Sequence, residues 1–415
     1  MGRFLIGLVC AAAGVGGCSS APAHPPLICA DGCTDAGTVT NQYPAPHPSM
    51  PQVENQGGPV LMAPVFIPIT FDGDPLRADL ETFVSTLGTT RYFTSSVTEY
   101  GGSAGKSGTP VHLSEAPPTA IDDPGVQAWL LGKLDGTHPE FGTPDANTVY
   151  VIFYLASTTV TFEGLVACET FGGYHSSVAL PGGAGSASYA VLPRCTSLGR
   201  PQLQGLDATT GAGNHELVEA TTDPLPLSKP AYLTVDGDHV AWPLALGGGE
   251  VGDLCAQDPN AFVQPPDYPY TLQRTWSNAQ AAAGHDPCVP ALVAEVYFNA
   301  APVLDDTISF SLDGQSFTTK GVHIAIGQTK VIEVDLWSDG PMNEPWGVTA
   351  TDLALMQGQT PQLGLALNAA GGLNGQKLQL TVTVAQADPT GVEGFVLTST
   401  FGGSEHFYPG LIATP

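Results

Sequence analysis

Positive charge is what this chain has least of: 12 Lys plus Arg stand against 39 Asp plus Glu in 415 residues, a formal net charge of −27. The few basic residues are scattered, so there is no electrostatic footprint for a phosphate backbone, and nucleic acid is excluded as a partner. Long apolar runs are also missing, because the stretch from Phe4 to Val15 is too short to span a bilayer as a permanent helix. Paired C-x-x-C spacing is absent, which argues against a Cys-ligated structural zinc. Gly101 to Ser107 imitates a phosphate loop but has Tyr100 where the first glycine is required. Asp72-Gly73-Asp74 and Asp236-Gly237-Asp238 lack the later ligands of a calcium loop and read as turns. No G-x-S-x-G elbow accompanies a Ser-His-Asp set.

What is present at the start is Arg3, the short apolar core and then Val15-Gly16-Gly17-Cys18. A charged start, an apolar core and small residues before a cut make residues 1–17 a secretory signal. Cys18 at the cut resembles a bacterial lipobox, and that resemblance implies lipidation at Cys18 and membrane contact through this N-terminal anchor alone. The expected location is the outer membrane or cell surface of a bacterium. With Cys10 removed and Cys18 spent, six cysteines remain, an even number that reads as three disulfides in an oxidising compartment. Neighbourhood in sequence suggests Cys29 with Cys33, Cys168 with Cys195 and Cys255 with Cys288, although six cysteines allow other connectivities.

Residues 18–58 are rich in Pro, Ala, Ser and Gly and read as a flexible tether in which His24 and His47 are solvated. Residues 59–290 carry an α+β pattern. A strand is expected at Val65 to Ile69, then a helix capped by Asp74 with Pro75 at its first position and Leu76, Leu80, Phe83, Val84 and Leu87 on one face. Asp123-Pro124 opens a second helix by the same device, Thr148 to Leu155 is the strongest strand, and Tyr189 to Pro193 reads as a more exposed one. This order argues for a mixed sheet with helices against it. From 291 to 415 short alternating strands replace helices. They are expected at Ala294 to Phe298, Thr307 to Leu312, Val322 to Ile326, Val331 to Leu336, Gly364 to Leu367, Leu378 to Val384 and Phe395 to Thr400, with Asp313-Gly314 as a hairpin turn. The spacing is that of an all-β, Ig-like sandwich.

His215-Glu216-Leu217-Val218-Glu219 is the constellation that carries chemistry. On a helix, residues four apart share a face, so His215 and Glu219 can grip one zinc ion while Glu216 aims at a water beside it. This is the H-E-x-x-H metallohydrolase pattern with a carboxylate in place of the second histidine. The helix is expected to open at Asp207 and stop at Asp223-Pro224, with Gly211 and Gly213 weakening it. A third ligand is required, and Glu250 is the first candidate, with Asp253 and Asp223 as alternatives. His175 reads as a residue at the rim of the site.

These blocks together resemble the Exordium, or phosphate-induced protein, family and its microbial relatives. The matching stretches are Thr70 to Tyr100, Thr148 to Leu155, the Cys168 to Cys195 block with Gly-Tyr-His-Ser-Ser, His215 to Pro224, Gly249 to Cys255, and Trp276-Ser277-Asn278 before Cys288. They cover roughly residues 60–290. The resemblance implies an extracellular protein, a zincin-like core in the microbial branch, and support for pairing Cys255 with Cys288. The expected activity is zinc-dependent hydrolysis of a peptide or similar acyl bond, with Glu216 as the base. The competing expectation is a non-catalytic surface protein whose sandwich contacts glycan or protein.

Overall fold

The computed structural model describes residues 38–291 and 295–414. The signal sequence, Cys18, His24, the Cys29 and Cys33 pair and Ala294 lie outside the described residues. In the first half, β1 (Val65–Phe71), β2 (Thr148–Tyr154), β3 (Tyr174–Ala179) and β4 (Ser186–Pro193) form a sheet in the order β1-β2-β4-β3. The pairs β1/β2 and β2/β4 are parallel, and β3 closes the edge antiparallel to β4.

Both faces of this sheet are covered, which is why β2 is buried at every position and apolar or aromatic after Thr148. Tyr150, Ile152 and Tyr154 pack on one side with Val126 and Leu130 of α3 (Asp123–Lys133). Val149, Val151 and Phe153 pack on the other side against three helices: α1 (Arg77–Leu87), α2 (Arg91–Val97) and α4 (Leu206–Thr222). Strand β4, expected to be exposed, lies between β2 and β3 and is buried almost throughout.

Two helix starts shift from their expected places. Asp122, not Asp123, caps α3 by accepting from Gly125 N, leaving Asp123 Oδ1 to accept the Tyr189 hydroxyl at 2.6 Å. Asp74 accepts from Leu76 N at 2.8 Å and pairs with Arg194, so its carboxylate organises the turn before α1 while Leu76 sits at the cap position itself.

The second half is a pair of facing sheets. One has the order β5-β8-β11-β10, formed by β5 (Phe298–Pro302), β8 (Thr329–Ser338), β11 (Lys377–Val384) and β10 (Leu363–Leu367). The other runs β6-β7-β13-β12-β9, formed by β6 (Asp306–Leu312), β7 (Gln315–His323), β13 (Ser404–Ala413), β12 (Val392–Phe401) and β9 (Trp346–Asp352), with Gly371–Gly372 at its end. Asp313 and Gly314 turn β6 into β7 with φ of 49° and 79°, the positive values that a two-residue hairpin of this type demands. Among the described residues, no helix is long and apolar enough to cross a membrane.

The halves share one hydrophobic cluster. Trp242 of α5 (Ala241–Leu246) meets Trp276 at 5.4 Å and Tyr408 of β13 at 5.2 Å between ring centroids, both edge-on. Two disulfides, Cys168–Cys195 and Cys255–Cys288, brace the first half.

Residues 38–58 are not a free tether where they are described. Asn374 donates to the carbonyls of Thr40 and Gln42 and accepts from Ala45 N, at 2.8 to 3.2 Å. His47, expected to be solvated, stacks on Trp337 at 4.1 Å. Further along, Val53 and Glu54 pair antiparallel with Val235 and Thr234 of the first half. The segment is therefore a strap running from the sandwich to the α/β body. Its proline-rich composition hid this, because Ala45, Met50 and Val53 are apolar anchors buried one at a time.

Truncating Asn374→Ala removes four hydrogen bonds made by a side chain 3% exposed, counting the one from Ser338 N. Global stability should fall by about 2–4 kcal/mol in chemical unfolding, and proteolysis should move into residues 38–52. An unchanged midpoint would show that the strap holds nothing. His406 offers a second test. It lies between Tyr297 and Phe298, at 4.6 and 4.9 Å, and burial, helped by the Arg274 charge, pushes its pKa down to about 3. Asp258 is 4.0 Å away but is itself pushed up to about 6 by burial, so it offsets little. Because the folded pKa lies below the unfolded value, stability is full above about pH 6.5 and is lost as pH falls towards 3, by up to about 4 kcal/mol. The variant His406→Gln should show a shallower acid slope between pH 6 and 4; equal slopes would refute the assignment.

Candidate metal centre

The site is built on α4, which packs across β4 and β3. Gly211 and Gly213, which weaken the helix on propensity alone, are needed for that packing. A Cβ on Gly213 would stand 3.3 Å from Leu192 Cδ1 of β4 and 2.9 Å from Phe83 Cε1 of α1, and one on Gly211 would stand 3.1 Å from Phe262 Cδ1, beyond the sheet. The close approach carries His215, Glu216 and Glu219 into the interior, where all three are buried. Strand alternation does the rest. Tyr174 and Val178 of β3 face the α3 side, so His175 faces α4. The segment Gly249 to Cys255 supplies Glu250 and Asp253 from a third direction.

The distances define two sets of donor atoms that share Glu219. In the first, His215 Nε2 is 3.1 Å from Glu219 Oε2 and 3.7 Å from Asp253 Oδ1. In the second, His175 Nδ1 is 3.3 Å from Glu216 Oε2 and 3.7 Å from Glu219 Oε2. Donors held about 2.0–2.2 Å from one tetrahedral ion stand about 3.3–3.6 Å from each other, so these spacings suit a zinc shell. Glu219 Oε2 has no hydrogen-bond partner although an imidazole nitrogen is 3.1 Å away. The two groups are turned towards a common point more than towards each other.

The orientation of His215 supports this reading. Its Nδ1 donates to Gln273 Oε1 at 3.0 Å, and Gln273 is pinned in turn by its amide nitrogen donating to the Gly252 carbonyl at 2.6 Å. With the proton fixed on Nδ1, the Nε2 lone pair is the one presented to Glu219 and Asp253, which is how an outer partner orients a metal-binding imidazole. Glu219 Oε1 accepts from the backbone N–H groups of Gly252 and Asp253 at 3.0 and 3.2 Å, fixing its carboxylate. Only glycine fits at 252, because a Cβ there would lie 2.6 Å from His215 Nδ1.

Without a cation the cluster holds more negative charge than it can neutralise. Glu216, Glu219, Asp223, Glu250 and Asp253 are buried around two imidazoles. Burial, and then the charges of Glu219 and Asp223, push Glu250 well above the usual carboxylate range. Burial and Glu219 push Asp253 up to about 7. His215 goes the other way: burial opposes its charge, but Glu219, Glu216 and Asp253 raise it to about 10. In the ion-free chain protons thus take the place a cation would fill, and Nε2 of His215 is where proton and metal compete.

His215, Glu216 and Glu219 converge as expected. Of the carboxylates expected as a third ligand, Asp253 lies beside His215 and Glu219, whereas Glu250 Oε1 lies 3.5 Å from His175 Nε2 on the far side of that ring. Asp223 uses Oδ1 to hold Ala231 N and offers its carbonyl, not its carboxylate, to His175. His175 is fully buried within the cluster and is not a rim residue. Gln273 was missed, since Leu-Gln-Arg-Thr-Trp carries no motif; only the need of a buried histidine for an acceptor points to it.

No family model matches the chain, and no curated protein matches it. Among solved structures it is similar to domains 4 and 5 of the S-layer protein SbsC, at 16% identity and a TM-score of 0.17 over 27% of this chain and 53% of that one. It is also similar to the titin M3 domain, at 14% identity and a TM-score of 0.16 over 23% of this chain and 86% of that one. The chain thus spans about half the length of the S-layer fragment, and likenesses this slight bear on neither fold nor site.

Replacing Gln273→Leu removes the acceptor that fixes His215 and should weaken zinc affinity by about 10–100-fold, read by competition with a chromophoric chelator. Unchanged affinity would show that the Gln273 contact does not orient a ligand.

Proposed function

We propose that this chain is an exported zinc-dependent hydrolase with a zincin-like core, displayed through a lipid on Cys18 and acting on peptide or similar acyl bonds. The observation that carries the reading is the convergence of His215 Nε2, Glu219 Oε2 and Asp253 Oδ1, with Glu216 next to His215 on the same helix. Those three residues would hold the ion. When bound, zinc supplies Lewis acidity, acidifying water and balancing a developing oxyanion.

The remaining roles belong to the chain. Glu216 takes the proton at its carboxylate and returns it to the leaving group. Gln273 keeps His215 in the tautomer that leaves Nε2 free, and the Gly252 and Asp253 amides hold Glu219 aimed. His215, Glu216 and Asp253 retain 3 to 4% exposure, whereas Glu219 has none. The Exordium-like blocks fit this reading, since they include every member of the cluster except Gln273. The two disulfides suit export.

The burial of every ligand favours a second reading, a structural ion in a non-catalytic surface protein whose sandwich contacts glycan or protein, because structural zinc sites are closed. The variant Glu216→Gln separates the two. As a hydrolase, the zinc-loaded chain should cleave members of a fluorogenic peptide and ester panel, and Glu216→Gln should keep its zinc while losing about 10²–10⁴-fold in rate. Turnover that survives the substitution, or no turnover by the zinc-loaded chain, would make the ion structural.

A further inference from the structure

His175 is the buried group that the one-ion mechanism leaves without a task. Its Nε2 lies 3.1 Å from the carbonyl of Asp223, a neutral acceptor that fixes the proton on that nitrogen. Nδ1 faces Glu216 Oε2 at 3.3 Å, within hydrogen-bond reach, and Glu219 Oε2 at 3.7 Å. The two carboxylates and this nitrogen are held together only while a positive centre, a proton on Nδ1 or a cation, stands among them. The three donor atoms lie within 4.8 Å of one another and are all buried. They form a set separate from His215, Glu219 and Asp253, with Glu219 common to both.

Two further observations point to a cation. Glu219 Oε2, fully buried, faces both imidazoles and has no hydrogen-bond partner. Behind the ring, Glu250 lies 3.5 Å from His175 Nε2 with neither oxygen hydrogen-bonded, a further buried carboxyl group without a partner beside the donor set.

We propose a second divalent-cation site formed by His175 Nδ1, Glu216 and Glu219, with Glu219 bridging the two ions. This rests on the reading of the first site as a metal site and adds regulation to it. The second ion meets the charge of the first across a shared carboxylate, so it binds more weakly. It also occupies the lone pairs with which Glu216 takes a proton. Hydrolysis therefore rises as the first equivalent of zinc binds and falls as the second does. The chain carries its own inhibitory metal site, set by free zinc outside the cell.

Equilibrium dialysis of the full chain against zinc, with elemental analysis, tests this without reference to activity. Wild type should saturate at two equivalents in two resolved steps. His175→Asn and, separately, Glu216→Gln should keep the tighter step and weaken the other by at least tenfold, while Asp253→Asn weakens the tighter one. Saturation of wild type at one equivalent overturns this proposal and leaves the first site standing. Retention of the second step in both His175→Asn and Glu216→Gln overturns it as well. Absence of any zinc binding overturns it together with the reading it rests on.

Discussion

Everything around α4 is governed by one electrostatic constraint, the burial of Glu219 between two imidazoles and among further carboxylates. A charge taken out of water costs several kcal/mol unless it is paired and hydrogen-bonded. Glu219 meets half of that demand through the Gly252 and Asp253 amides at Oε1. The other oxygen faces His215 Nε2 and His175 Nδ1 and has no hydrogen-bond partner. A divalent ion resolves the conflict in one stroke, whereas protons resolve it only by discharging Glu250 and Asp253 and charging His215. The fold around this point is arranged to hold the conflict in place. Small residues bring α4 onto the sheet, a disulfide ties Cys255 of α6 (Asp253–Ala256) to Cys288, and the Gly252 backbone fits where no side chain would.

The long-range supports follow from the same need for rigidity. Arg274, adjacent to the orienting Gln273, is fully buried and holds the carbonyls of Pro290 and Cys288 together with Asp286. That network fixes the strand that presents Gln273 to His215. The aromatic contact of Trp242, Trp276 and Tyr408 then joins this region to the sandwich, and the strap of residues 38–58 closes the join from outside. The sandwich is thus packed against the body that carries the site and is not a loosely hinged appendage.

How much of this could be read from the sequence depended on the range of the interaction. The bounds of α4, the fully buried β2, the Asp313-Gly314 hairpin and the pairings Cys168–Cys195 and Cys255–Cys288 are set by neighbours within a few turns or tens of residues, and all were legible. The H-E-x-x-E spacing fixed which side chains share a helix face. It could not fix which downstream carboxylate reaches them, because Glu250 and Asp253 are three residues apart and only the turn between them decides. His175 sat in a recognised block, but its role depends on strand parity and on α4 lying across β3. The strap was invisible for a different reason: its anchors contact residues some 180 to 330 positions away, and proline-rich composition reads the same whether or not such contacts exist.

The central claim is that a divalent ion completes the charge balance around Glu219. Crystals of the full chain grown with zinc, and data collected at the zinc absorption edge, address it most directly. The account expects an anomalous peak about 2 Å from His215 Nε2, Glu219 Oε2 and Asp253 Oδ1. A cluster showing no peak at saturating zinc, with its carboxyl groups bridged by protons alone, would contradict it.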